Sequence, residues 1–206
     1  MSALPRSVIG FECVEWLIVD DGSCDDTVQI AKACGVDHII RHTGNRGLAK
    51  AFMTGLEACL DRGADVIINT DADNQYNADD IPSLVRPILE RRAELVVGTR
   101  PISTIEHFSP IKKLLQKIGS WVVRQASRTD IPDAPSGFRA ISRTAAQQLV
   151  VFSNYTYTLE TIIQAGQKNI AIESVLIRVN DDLRPSRLVK NISSYILRSV
   201  STIIRI

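Results

Sequence analysis

VIINTDADNQ, residues 66–75, is the stretch on which the fold turns. Five strand-like residues run directly into Asp71-Ala72-Asp73 and then an amide pair, Asn74 and Gln75. A buried strand ending in alternate carboxylates sets hard oxygen ligands at the carboxyl edge of a sheet, where open α/β sheets bind ligands. Oxygen donors suit Mg²⁺ or Mn²⁺ rather than Zn²⁺, and Mg²⁺ commonly sits between one or two carboxylates and substrate phosphates. Those ten residues point to metal-assisted chemistry on a phosphorylated, nucleotide-linked substrate. They also admit a plainer reading, in which Asp71 and Asp73 only form a turn.

Outward from this stretch, short apolar runs alternate with helical patterns. VEWLIVD (14–20) reads as a strand, followed by a helix capped at Asp25 or Asp26, running through Cys34 and closed by Gly35. A short strand at His38 to Arg41 leads to a Gly-flanked turn and a helix from Leu48 to Asp61. The strand into Asp71 follows, then a helix from Asp79 to Arg92. Pro82 is tolerated in its first turn and Pro87 disturbs its interior. Glu94 to Gly98 reads as another strand. This rhythm predicts an α/β fold with a mainly parallel sheet flanked by helices. Beyond Arg100, helices are predicted over Pro110–Ser127, Arg143–Val151 and Thr156–Gly166, with a strand over 170–179; SGFRAIS is given no element.

At 206 residues, 45% apolar and 23% charged, the chain has the size and composition of one globular domain. Its net charge of +1 gives no case for nucleic-acid binding. The charge is unevenly spread: Arg184, Arg187, Lys190, Arg198 and Arg205 follow the last acid, Asp182, leaving −4 on residues 1–183. At 100° per residue these cations cluster on one side of a helix and Leu188, Ile192, Tyr195, Ile196, Val200, Ile203 and Ile204 lie opposite. A basic stripe facing a wide apolar arc predicts a membrane-surface helix over 184–206, appended to a domain over 1–183; a helix packed on the domain is the alternative. Cys13, Cys24, Cys34 and Cys59 lack metal or redox spacing and read as reduced thiols of a cytosolic protein.

In order, the chain carries VDDGSCDDT (19–27), NRG (45–47) ahead of a helix, TDADNQ (70–75), GTR (98–100) and DAPSGFR (133–139). Singly each is weak: an acidic turn at a strand end also occurs in receiver domains, and a Gly turn beside Arg46 and Lys50 suits a pyrophosphate or merely starts a helix. Together, over residues 14–180, they resemble the family-2 glycosyltransferases of the GT-A fold, in particular the dolichyl-phosphate mannose synthase and polyprenyl-phosphate sugar transferase branch. The resemblance implies a metal-dependent, inverting transfer of a sugar from a UDP- or GDP-linked donor to a polyprenyl phosphate. It assigns the nucleotide to Asp20, Asp21, Arg46 and Asp71, and Mg²⁺ or Mn²⁺ to Asp71, Asp73 and Gln75. The acceptor-side base is Asp133, with Asp130 as its rival, and Arg100 and Arg139 contact the acceptor or the phosphates. Tyr155, Tyr157 and Glu160 either line the acceptor side or pack on the sheet; His107 meets a phosphate or lies in an exposed loop.

The implied setting is the cytoplasmic face of a membrane, with peripheral attachment and a homo-oligomer left open. Nothing before Val14 matches the Pro-x-Tyr-Asn-Glu-like turn of the family. Residues 1–10 read as the end of a helix, so the first strand of the fold is expected to be absent and one sheet edge exposed. That leaves a second reading, a fragment that binds nucleotide or membrane without turnover. A third is a haloacid-type phosphatase with Asp71 as nucleophile, although Asn74 and Gln75 break its pattern.

Overall fold

The structure is a computed structural model that describes residues 4–101, 124, 127, 129–152 and 156–180. β1 (Leu17–Asp20) and β2 (His38–Arg41) pair in parallel, Leu17 beside His38 and Asp20 beside Arg41, across α1 (Thr27–Ala33). α2 (Leu48–Asp61) leads to β3 (Val66–Asn69), and a 3₁₀ turn at Ala78–Asp80 leads to α3 (Ile81–Leu89) and β4 (Leu95–Thr99). β5 (Arg139–Ser142), α4 (Arg143–Gln148), α5 (Thr158–Gln167) and β6 (Ile172–Leu176) complete the described elements. The predicted helix over 110–127, apart from Arg124 and Ser127, and the basic segment 184–206 lie outside the described residues.

The second sheet has the order β3-β5-β4-β6. β3, β4 and β6 run one way, as a mainly parallel sheet requires, but β5 lies antiparallel between β3 and β4. The sequence reading has no strand there, because RAIS is only four residues long and begins with Arg139. Its ladder, Asn69 beside Arg139 and Val97 beside Arg139, matters for function. It brings the loop before β5 against the ends of β3 and β4. Among the described residues no ladder joins β1 to β3. α2 spans the two sheets instead: Gly55 sits over Leu17 and Val19 of β1, while Phe52 and Leu56 share a core with Ile67, Leu95 and Ile141. Fully burying side chains such as Leu84, Leu95 and Ile141 stabilises the fold by about 1.5–3 kcal/mol each.

Three boundaries differ from expectation for local reasons. α3 stops at Leu89, since Pro87 donates no backbone hydrogen bond and Arg91 adopts φ 57°, and the carbonyl of Pro87 caps the end by accepting from the Arg92 and Ala93 amides. α4 ends at Gln148 with Ser142 as its N-cap, accepting from the Ala145 amide. Residues 4–10 form no helix. There Gly10 takes φ 95°, Val8 is buried with Leu84 and Val85, and Trp16 donates from Nε1 to the Pro5 carbonyl at 3.1 Å. No helix among the described residues is long and apolar enough to cross a membrane.

Candidate active site

Four chain segments leave the second sheet at one edge: Thr70–Asn77 after β3, Arg100 after β4, Asp133–Phe138 before β5, and Ile177–Asn180 after β6. They build the site around Asp71. Tyr76 folds back from the acidic loop, stacks on Phe138 with ring centroids 5.1 Å apart, and its hydroxyl accepts from the Gly137 amide at 2.9 Å while hydrogen-bonding Asp71. Asn69 donates to the Gly137 carbonyl and to the Tyr157 hydroxyl, both at 2.7 Å. The Asp71 carboxylate therefore lies directly on Gly137. A Cβ there would sit 2.7 and 3.0 Å from its two oxygens and 2.9 Å from the Tyr157 hydroxyl. Gly137→Ala is expected to destabilise the fold by about 1–3 kcal/mol, the usual cost of overpacking, as read by urea unfolding. An unchanged midpoint would mean the loop has room to move.

Burial, and after it the neighbouring Asp73 charge, raise the Asp71 pKa to about 6, against the attraction of Arg100 and Arg139. Two carboxylates crowded into a half-buried edge, one of them reluctant to ionise, form an oxygen donor set whose charge calls for a cation. Among the described residues no group of three His, Cys, Asp or Glu side chains is placed to hold a metal. Asp73 Oδ1 accepts from the Gln75 amide at 3.0 Å, and Asn74 takes φ 62° to make the bend. The Gln75 side-chain oxygen lies 3.5 Å from Arg100 Nη1. This donor set fits a hard divalent ion that completes its shell with ligand phosphates and water.

Arg100 and Asp133 form a buried, bidentate pair: Nε to Oδ2 at 2.7 Å, Nη2 to Oδ1 at 2.9 Å, and the Arg100 amide to Oδ2 at 3.2 Å. Burial works against the Arg100 charge, but the Asp133 hydrogen bonds and charge outweigh it and its pKa is raised. Both oxygens of the expected base are thus committed to a guanidinium. Asp130, its rival, is 95% exposed and pairs with Arg124. The expectation that Arg139 meets a phosphate needs correcting. Arg139 is fully buried, and it donates to the carbonyls of Ala134, Ser136 and Thr158 and to the Thr161 hydroxyl. With four of its five N–H donors spent inside the protein, it folds the 133–138 loop, and its charge reaches Asp71 only as a field. Tyr157 and Glu160 are packing residues: Tyr157 stacks on Phe52 at 3.9 Å and Glu160 accepts from the Phe152 amide. Tyr155 and His107 lie outside the described residues.

A second cluster forms at the end of β1. Asp21 accepts from the Arg46 amide at 2.8 Å, the Gly47 amide at 2.9 Å and His42 Nδ1 at 2.7 Å. Burial raises its pKa, but these hydrogen bonds, led by His42, outweigh that and hold the carboxyl below its ordinary range. The Arg46 and Gly47 amides are therefore spent on Asp21, which pins the NRG turn, while the Arg46 side chain is exposed. Asp20 is buried, accepts from the Ser23 amide at 3.0 Å, and keeps Oδ2 at 3.1 Å from Arg41 Nε without hydrogen-bond alignment. Gly22 at φ 81° lets this turn touch the Gly44 backbone. An open cleft of about 400 Å³ lies here, lined by Gly22, Ser23, Cys24, Arg41, His42 and Thr43 and by none of the acidic-loop residues. Sequence reasoning missed Arg41 and His42, although a strand ending HIIRH beside an acidic turn carries the signal, and it missed Asn69, Tyr76 and Gly137, whose roles depend on β5.

A helix-flanked α/β sheet with paired carboxylates at one edge has the architecture of the GT-A glycosyltransferases. The chain belongs to glycosyl transferase family 2, whose profile matches residues 6–150. It is 30% identical over 184 residues to the UDP-N-acetylglucosamine–dolichyl-phosphate N-acetylglucosaminyltransferase of Methanococcus voltae, covering 79% of this chain and 73% of that protein. It is 30% identical over 130 residues to the undecaprenyl-phosphate mannosyltransferase of Micrococcus luteus, covering 60% of this chain and 53% of that one. The solved structure of glucosyl-3-phosphoglycerate synthase from Mycobacterium tuberculosis, in complex with Mn²⁺, UDP and glucosyl-3-phosphoglycerate, shares the fold with a TM-score of 0.70 at 19% identity, over 93% of this chain and 67% of that one. Membership of this family removes the phosphatase reading.

Proposed function

We propose that the chain moves a sugar from a nucleoside diphosphate to a polyprenyl phosphate at a membrane surface, in a single inverting displacement. The observation that carries this is the Asp71 carboxylate, half-buried beside Asp73 at the sheet edge that also holds Arg100. Asp71 and Asp73, with Gln75, would hold Mg²⁺ or Mn²⁺, which when bound neutralises the leaving diphosphate. Asp20 and Asp21 shape the nucleotide side of the site, and the exposed Arg46 offers its guanidinium to the donor phosphates. Arg100, fixed in direction by Asp133, supplies positive charge beside the acidic loop. An acceptor phosphate already carries more than one negative charge near neutral pH and needs guidance more than deprotonation. Asp133 accordingly serves by orienting Arg100 rather than as a base. The names of the Methanococcus and Micrococcus relatives support the lipid acceptor, and the basic segment 184–206 supports peripheral attachment to the cytoplasmic face.

The test is transfer of labelled sugar from UDP- and GDP-linked donors to a short polyprenyl phosphate with Mn²⁺, read as label entering the organic phase. A lipid-soluble product that EDTA abolishes is the expected result. Nucleotide binding with no product from any donor would favour the non-catalytic alternative, for which the gap in pairing between β1 and β3 is the supporting observation.

Acidity supplies a further prediction. With its pKa raised to about 6 from an ordinary 3.8, Asp71 holds a proton that a cation must displace. Mn²⁺ affinity is expected to be flat above that pH and to fall about tenfold per unit below it. The sign for the metal-free fold is opposite. A raised carboxyl pKa contributes stability that is full below pH 3.8 and is lost as pH rises through about 6. Mn²⁺ titrations between pH 5 and 8, followed by intrinsic fluorescence, read the first effect, and a pH-independent affinity would contradict it.

A further inference from the structure

The three consecutive carbonyls of the acidic loop, Asn74, Gln75 and Tyr76, are all met by one residue from the far end of the domain. Asn180 donates from its amide to the Gln75 carbonyl at 2.9 Å, and from Nδ2 to the carbonyls of Asn74 at 3.0 Å and Tyr76 at 3.2 Å. The segment that carries it is itself anchored. Ile177 is buried and donates to the Thr99 carbonyl at 3.0 Å. The Arg178 amide and guanidinium bind Asp80 at 2.6–3.0 Å, its carbonyl accepts from the Asn77 amide at 3.4 Å, and Val179 bridges to Tyr76. Within its own span the loop is held by the Gln75 amide donating to Asp73, by the Tyr76 hydroxyl on Asp71 and by the cap of Asn77, none of which engages its outward carbonyls.

We propose that Asn180 is a positioning residue for the acidic loop, clamping its backbone so that Asp71 and Asp73 face one point. This rests on the reading of those carboxylates as cation ligands. A loop with a residue at φ 62° and three outward carbonyls has several accessible shapes in water. One residue that satisfies three successive acceptors, two through its side chain and one through its backbone amide, selects one of them. Because the clamp acts on backbone carbonyls, its effect falls on carboxylate placement and not on the charge of the site. It also couples the end of β6 to the acidic loop, 106 residues away in sequence between Asn180 and Asn74.

The test uses the full chain and two variants, Asn180→Ala and Asn180→Asp, the second keeping size but removing the Nδ2 donors. Mn²⁺ affinity in the presence of UDP and of GDP is measured by calorimetry, with hydrogen exchange of residues 71–77 and the melting temperature alongside. The expected result is a weakening of Mn²⁺ binding on the order of tenfold in both variants, as loss of one or two neutral hydrogen bonds implies. Exchange is expected to quicken in the loop and stay unchanged in β3 and β4, with little change in melting. Wild-type Mn²⁺ affinity and loop exchange in the variants would overturn the assignment, as would loss of the whole fold in both, since that marks a structural residue. Failure of the wild-type chain itself to bind Mn²⁺ with either UDP or GDP would overturn the functional reading beneath it.

Discussion

Asp73→Asn is expected to leave the fold intact and to lower sugar transfer on the order of 10²–10³-fold, with no comparable change in melting temperature. Asp73 contributes nothing to the buried core, and its one internal role, accepting from the Gln75 amide through Oδ1, is available to the asparagine carbonyl. What the substitution removes is a negative charge beside Asp71. Stabilisation of a developing diphosphate charge by a bound divalent ion is worth several kcal/mol, and each 1.36 kcal/mol is about a factor of ten in rate. The same change removes the second cause of the raised Asp71 pKa, so Asp71 should titrate lower in the variant. Transfer within a fewfold of wild type would show that Asp73 only makes the turn.

Arg100→Ala is expected to have the largest effect on stability, about 3–5 kcal/mol by urea unfolding, because it takes the neutralising guanidinium away from a fully buried carboxylate, Asp133. The double variant Arg100→Ala with Asp133→Ala should recover much of that loss, since it removes the buried negative charge that Arg100 had neutralised, yet remain poor in transfer. Arg100→Lys should not rescue either property, because a point ammonium cannot reproduce the two-point contact to Asp133 or the reach towards Gln75. Equal stability for the single and double variants would mean that the pair is not coupled as its geometry implies.

The elements that follow a strong period were legible from sequence: the strand into Asp71, α2 with its apolar face, and the alternation that fixes an α/β class. β5 was not, since four residues starting with a buried arginine carry neither alternation nor an apolar run, and only the pairing of Arg139 with Asn69 and Val97 makes it a strand. The errors at the site follow from that. Motif order brought Arg100, Asp133 and Arg139 near the acidic loop, but it could not say which cation reaches that loop. Charge type alone does not distinguish Arg139, satisfied by four protein acceptors, from Arg100, paired to one carboxylate. The NRG turn shows the same limit, because hydrogen bonding from its amides to Asp21 depends on β1 and β2 lying side by side. Asn180 carries no motif at all; its role exists only where the end of β6 crosses the acidic loop.

The central claim, that Asp71 and Asp73 place a divalent ion against a donor diphosphate, is tested most directly by calorimetric titration of UDP and GDP with and without Mn²⁺. If ion and diphosphate share one site, each must tighten the other by the same factor. The account predicts that one of the two nucleotides binds at least about tenfold more tightly with Mn²⁺, an enhancement in the usual range for coupled sites, and that Asp73→Asn abolishes it. Nucleotide affinity that is the same in Mn²⁺ and in EDTA would contradict it.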